Sequence, residues 1–210
     1  MKKEQECEEL HWAVWAIADK LHGAVDGWDF KDYVLDTMFY RYISENLESY
    51  INCGEWDAGN AGFRYSDMPD NKAEEAWAGL VNEKGFFVLP SELFCNVRKS
   101  APQDEDMNET LEKVFHHTEE SAKGSQSESS FAGLFDDYDV NSNKLGAIVA
   151  KRNEKLVKLL NNVAEMNLGE VKDRDIGASG DAYEYLRLCM LPTRGNPAAS
   201  SLRSSMCLSC

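Results

Sequence analysis

Apolar residues in the first fifty positions recur at helical intervals. Leu10, Val14, Ile17, Ala18 and Leu21 share one face, and Tyr33, Val34, Met38, Tyr42 and Ile43 share another after a break from Gly23 to Trp28. The two runs read as a helical hairpin. Asp29 stands before FKDYVLDTMFYRYISENLESYI as an N-cap, and Asp32 sits in the first turn, where the helix dipole favours a negative charge. Residues 73–82 form a third, short helix with Ala76, Trp77 and Leu80 inward, ending near Gly85. The run GFFVLPSELF at 85–94 is β-like until Pro90, after which Ser91 can cap another helical turn. Residues 104–122 place Leu111, Val114 and Phe115 on one helical face. A polar loop at 123–130 and an acid-rimmed apolar stretch, FAGLFDDYDV, follow. KLGAIVAKRNEKLVKLLNNVAEM at 144–166 returns to helical spacing, and GDAYEYL follows a Gly-punctuated turn. There is no internal repeat and no strand set large enough for a sheet. The fold class is mainly α, a multi-helix domain with few or no short strands and no Rossmann-like catalytic domain.

Composition narrows the functions available. A chain of 210 residues that is 43% hydrophobic and 10% aromatic can bury a core. Its 22 Lys and Arg stand against 37 Asp and Glu, a net charge of −15 that makes the chain alone a poor nucleic-acid binder. No window approaches a membrane span, and MKKEQECEEL is charged where a secretion signal would be apolar, so a cytoplasmic protein is expected. The cysteines at 7, 53, 95, 189, 207 and 210 are irregularly spaced and read as reduced, mostly buried thiols. Cys207-x-x-Cys210 lacks a second ligand pair that would complete a zinc site.

The common catalytic signatures are missing. The sequence contains no G-x-x-x-x-G-K-[ST], no G-x-G-x-x-G after a strand, no H-E-x-x-H and no G-x-S-x-G. His116 and His117 are adjacent and point about 100° apart on a helix, so they cannot grip one metal together and read as solvated or half-buried. The acidic segments DNKAEEA, QDEDMNE and FDDYDVN lack calcium-loop spacing and read as solvated faces. Trp12, Trp15, Trp28, Phe30, Tyr33, Phe39, Tyr40 and Tyr42 could stack bases. At helical spacing and without interleaved cations they read as core.

LHWAVWAIADKLHGAVDGWDFKDYVLDTMFYRYIS resembles the opening of the modification subunit of type I restriction-modification systems, an adenine-N6 DNA methyltransferase. In that family an L-x-x-x-L-W-x-x-A-D-x-L-R-G helix precedes a Y-K-x-Y-V-L-x-x-x-F-x-[RK]-Y-[IL]-S helix. Trp15, Ala18, Asp19, Leu21, Gly23, Lys31, Tyr33, Val34, Leu35, Phe39, Arg41, Tyr42 and Ser44 fit this pattern, and His22 replaces the usual Arg. GFFVLPSELF is similar to the family's F-x-[VI]-P segment, and Asp181, Ala182, Tyr183, Glu184, Tyr185 and Leu186 match its D-A-Y-E-[YF]-L helix. The resemblance runs from about 10 to 186. It implies a helical domain at 1–170 and a linker and helix at 171–186 leading to a catalytic domain. It further implies S-adenosylmethionine as methyl donor of the intact enzyme, partnership with specificity and restriction subunits, and DNA contact in the assembled complex. The G-E-F-[FY]-T-P segment, the glycine-rich donor loop and the N-P-P-F motif of that family do not stand in this chain, so the chain alone is expected to bind no donor and to methylate nothing. A homodimer through apolar positions that would otherwise pack on that domain is also expected. The rival readings are a stand-alone acidic helical adaptor or DNA mimic and, last, a small metal or redox protein using Cys207 and Cys210. A downstream reading frame carrying N-P-P-F separates the first from these.

The stretch after Leu186 has its own reading. If Pro197 to Arg203 is encoded CCG GCG GCG AGT TCT TTA CGC, codons begun on the last base of the preceding one spell Gly-Gly-Glu-Phe-Phe-Thr. A frame slip shortly after Leu186 is therefore expected, with 187–210 an irregular, non-native tail and Cys207-x-x-Cys210 an accident of it. Sequencing the gene should find nucleotides that encode G-G-E-F-F-T in the shifted frame. Nucleotides that cannot do so refute the slip.

Overall fold

The computed structural model describes residues 27–166. The helix expected over Leu10–Leu21, the helix at Asp181–Leu186 and the Cys207-x-x-Cys210 tail lie outside the described residues, as do the boundaries drawn at 170 and 186. Within them the chain is helical and contains no strand.

The organising element is α1 (Gly27–Asp57), 31 residues long and thus about 46 Å from end to end. An amphipathic helix would show solvent one face, but from Tyr33 to Tyr40 every residue of α1 is buried. A helix that is apolar on nearly all sides belongs at the centre of a domain, and the other elements wrap it. Asp29 lies inside α1 rather than capping it, because the helix already includes Gly27, and the helix runs on past Ile51 to Asp57.

Beyond a loop come α2 (Asp70–Ala73) and α3 (Trp77–Lys84), joined by a single turn of 3-10 helix. Ala76 and Trp77 are exposed, against the inward expectation; Ala73 is buried, and Leu80 and Val81 are half-buried. The Trp77 ring lies flat on Phe87, with centroids 5.7 Å apart and planes 2° from parallel, so one ring face is covered and the other is open. Gly85 ends α3 with φ +83 and donates its N–H to Val81 O at 2.8 Å.

The β-like run 86–89 pairs with no strand. Phe86, Phe87 and Val88 are buried, and side chains answer their backbone instead. Ser121 Oγ accepts from Phe87 N–H at 2.9 Å, Tyr65 Oη donates to Val88 O at 2.8 Å, and Ser125 Oγ donates to Gly85 O at 2.7 Å. Backbone polar groups need partners when buried, not necessarily a ladder. Ser91 caps no helix; its N–H and hydroxyl both donate to the Asp70 carboxylate, at 2.9 and 2.6 Å. The next helix, α4 (Phe94–Ser100), takes Leu93 as its N-terminal boundary.

Helix α5 (Met107–Ser121) buries Leu111, Val114 and Phe115, as the spacing requires, together with Met107 and Thr118. A one-turn α6 (Glu128–Phe131) interrupts the expected polar loop. Phe131, Leu134, Phe135, Tyr138 and Val140 then turn inward, while Asp136, Asp137 and Asp139 stay in solvent. The last helix, α7 (Val149–Glu165), starts later than Lys144 because the chain folds back at Gly146; it packs on α1 and α5. Cys53 and Cys95 are free thiols and exposed, against the expected burial at these two positions; the other four cysteines lie outside the described residues.

Aromatic rings fill the centre. Phe115 stacks on Phe135 at 4.2 Å and meets Tyr138 and Tyr40 edge-on at 4.8 and 5.4 Å, while Tyr33 and Tyr138 meet at 4.9 Å. Such pairs each add about 0.5–1.5 kcal/mol beyond burial, and they join α1, α5 and the 131–140 segment.

At Gly85 a Cβ would adopt a left-handed backbone and run into the Ser127 side chain. Gly85→Ala should therefore destabilise the protein by about 2 kcal/mol, read as a lower urea midpoint at unchanged slope.

Candidate functional site

Of the family-motif residues, Tyr33 and Arg41, with Lys31, Val34, Leu35, Phe39, Tyr42 and Ser44, are among the described residues; Trp15, Asp19, Gly23, Asp181, Tyr183, Glu184 and Tyr185 lie outside them. Tyr33 is buried in α1, and its hydroxyl donates to Asp139 O at 2.7 Å, 106 residues away in sequence. Next to it, Thr37 Oγ1 donates to Tyr33 O at 2.7 Å and lies 3.0 Å from Tyr138 Oη.

Arg41 lies about two turns further along α1 than Tyr33. Its Nη1 donates to Val163 O at 2.7 Å and to Met166 O at 2.8 Å, and its Nε donates to Glu45 Oε1 at 2.8 Å. The last carbonyls of a helix have no intrahelical partner and carry the negative end of its dipole. A planar guanidinium supplies directed donors and a charge there at once, while Glu45 fixes its orientation. Tyr33 and Arg41 thus tie α1 to remote segments.

A second polar knot lies where α1, α4 and α5 meet. Tyr40 Oη donates to Glu92 O at 2.5 Å, and His117 Nδ1 lies 2.5 Å from Glu92 Oε1. Burial pushes the Glu92 pKa above the usual carboxylate range, against the pull of the His117 bond. Burial first, and then the Glu92 charge, raise Tyr40 well above the ordinary phenol range, so its hydroxyl stays a neutral donor. His117 and His116 are both exposed, and His116 lies 4.0 Å from Glu120, so the adjacent histidines serve different neighbours. Among the described residues no three His, Cys, Asp or Glu side chains gather to hold a metal, and no helix is long and apolar enough to cross a membrane. Nor do they contain a strand leading through a glycine-rich turn into a helix N-terminus, the arrangement that would cradle a nucleotide-like methyl donor.

What the fold does build is a concave surface between the C-terminal half of α1 and the α2–α3 region. It is an open groove of about 500 Å³ with an apolar floor that includes Ile51, Phe63, Met68 and Leu80. Glu55, Asp57, Lys72 and Glu83 supply its charged lining. Tyr50, 40% exposed, stands at its edge, donates to Glu83 Oε2 at 2.6 Å and carries Lys84 Nζ 3.7 Å from its ring centroid. Trp56 is 47% exposed beside it, held by its indole N–H on Phe63 O at 2.9 Å. The spacing along α1 conceals this groove, because it needs α1 to continue past Ile51 and the 58–80 region to fold back beside it. Tyr50 and Trp56 are the only visible hints, as aromatics on an otherwise polar helix end.

The described residues therefore define an all-helical domain with an open groove on its surface. The chain belongs to the HsdM N-terminal domain family, whose sequence profile matches residues 10–163. It is 42% identical over 192 residues to the type I restriction enzyme MpnII methylase subunit of Mycoplasma pneumoniae, covering 88% of this chain and 35% of that protein. Among solved structures, the methyltransferase subunit of a type I restriction-modification system from Streptococcus thermophilus superposes with a TM-score of 0.65 at 26% identity, over 86% of this chain and 38% of that one. This chain thus spans little more than a third of the length of the relatives it matches.

Removing the Arg41 fork should loosen the end of α7. Arg41→Lys keeps the charge but cannot hold two carbonyls and Glu45 together, so it should cost about 1.5–3 kcal/mol. Hydrogen exchange at 160–166 should accelerate in the variant; unchanged protection there would show that the fork does not hold the helix end.

Proposed function

We propose that this chain supplies the N-terminal helical domain of the modification subunit of a type I restriction-modification system, working in the cytoplasm. In this reading the helical domain occupies 1–170, and 171–186 leads toward a catalytic domain that the matched residues do not include. That domain would transfer the methyl group of S-adenosylmethionine to adenine N6 on a flipped base. The helical domain would help assemble the subunit with the specificity and restriction subunits and close around DNA in the complex. Trp15, Asp19, Gly23 and Asp181, Tyr183, Glu184 and Tyr185 are, in this reading, positions of the family's motifs, as Tyr33 and Arg41 are.

The observation that carries this reading is the family match over 10–163 together with 42% identity to a methylase subunit. Charge supports the choice of partner. A net charge of −15 opposes bare phosphate and suits a protein with basic patches, because complementary fields speed encounter and like fields suppress it.

Co-expressed with the specificity subunit of its own system, the chain should co-purify at low salt, and the complex should weaken as salt screens the attraction. A specificity subunit that elutes free under both conditions would refute the assembly role.

A further inference from the structure

The described residues leave the groove beside α1 open. Ile51, Phe63, Met68 and Leu80 on its floor are only half-buried, and Tyr50 and Trp56 stand exposed at its rim. An apolar floor beside two exposed aromatic rings is surface that gains by being covered.

The lining selects what can cover it. Glu55 accepts from Asn60 Nδ2 and Glu83 from Tyr50 Oη, each at 2.6 Å, neutral donors that leave both charges uncancelled, and Asp57 adds a third carboxylate. The cations nearby are already engaged, Lys72 by Glu75 at 2.8 Å and Lys84 by the Tyr50 ring at 3.7 Å. An occupant that suits the groove is therefore both apolar and basic.

One segment of the chain has that chemistry. All 37 Asp and Glu precede Arg187, and from there to Cys210 the chain carries three arginines and no acidic side chain. Leu188, Met190 and Leu191 stand between Arg187 and Arg194. The segment is also within reach. Met166 O lies 2.8 Å from Arg41 Nη1, and Ile51 is ten residues, about 15 Å, further along α1. Residues 167–180 alone can span about 46 Å, so Arg187 can arrive at the groove with the expected 181–186 helix in between.

We propose that the Arg187–Leu191 run, with Arg194, covers the Ile51–Leu80 groove of its own molecule. Leu188, Met190 and Leu191 lie on the apolar floor, and the two guanidiniums meet the carboxylates of Glu55, Asp57 and Glu83, which their planar forks can bind in pairs. The contact is an internal plug that hides Tyr50 and Trp56 and bars the groove to other proteins. Tethering sets an effective concentration on the order of 1 mM, so a contact with a Kd of only about 0.25 mM keeps the groove covered most of the time. The proposal stands on the groove and on the chemistry of 187–194, whatever the origin of that sequence, and does not depend on which complex the domain serves.

Thiol labelling of the full chain tests it. Cys53 lines the groove, and Cys95, also exposed, lies outside it, so their maleimide labelling rates, read by peptide mass spectrometry, report the two surfaces separately. Replacing both Leu188→Asp and Leu191→Asp should speed labelling of Cys53 about fivefold and leave Cys95 and the melting temperature unchanged. Arg187→Glu with Arg194→Glu should act in the same direction. Protection of Cys53 in the wild type should be constant across the micromolar range. Cys53 rates indifferent to both double substitutions overturn the proposal, whether the groove is open or residues 1–26 fill it. A parallel rise at Cys95 reports loosening of the whole domain and overturns it too. Protection that grows with protein concentration also overturns it, because a second molecule is then the occupant. Co-purification with a specificity subunit by a chain whose Cys53 reacts equally in every variant would leave the proposed function standing while refuting this contact.

Discussion

From Tyr33 to Tyr40 α1 is buried on every side and has no solvent face for its polar atoms, and this constraint shapes the rest of the domain. Thr37, Tyr40, Arg41 and Asn52 all have to find partners inside the protein. Each finds one on a different segment: Thr37 beside Tyr138, Tyr40 on Glu92 O, Arg41 on the end of α7, and Asn52 Oδ1 accepting from Tyr65 N–H at 2.7 Å. The buried apolar surface of α1 draws these segments together without direction, and the hydrogen bonds set their register. An error in any of them would leave a buried donor or acceptor unpaired, at about 1–3 kcal/mol each.

The same constraint explains how so much irregular backbone survives near the core. The 86–89 run and the 132–148 segment cross apolar territory without strand partners. They are tolerated because single side chains on helices, notably Ser121 on α5 and Tyr33 on α1, meet their carbonyls and amides. Tyr65 does the same from its own turn. Aromatic packing around Phe115 then joins these crossings to the helices. The domain is therefore a set of remote segments clamped to one rod.

Its charge is distributed to the same effect. Asp136, Asp137 and Asp139 rim a buried aromatic stretch and stay in solvent, so their charge adds to the outward field of the chain without being buried in the core. Against that field the basic segment at the start of α7 and the groove beside α1 are local departures, the one in sign and the other in exposed apolar surface.

Helical class, the inward faces of α5 and α7, the stop at Gly85 and the family membership were all readable in the sequence, because they depend on periods of a few residues and on motifs contiguous in the chain. Arg41 and Tyr33 were visible as motif residues, but their partners, more than a hundred residues away, were not. Trp77 was misplaced because its helix is short and its inward face is set by the docking of Ala73 and Phe87, which no local period encodes. The 86–89 run had strand-like composition, yet a strand needs a second strand, and whether one exists is a property of the whole fold. Local chemistry alone determined what could be helix and what could be core. Only the tertiary structure decided which carbonyls Arg41 would hold, which aromatics would stay in solvent and where a groove would open, since each of these requires bringing together residues that the chain keeps apart.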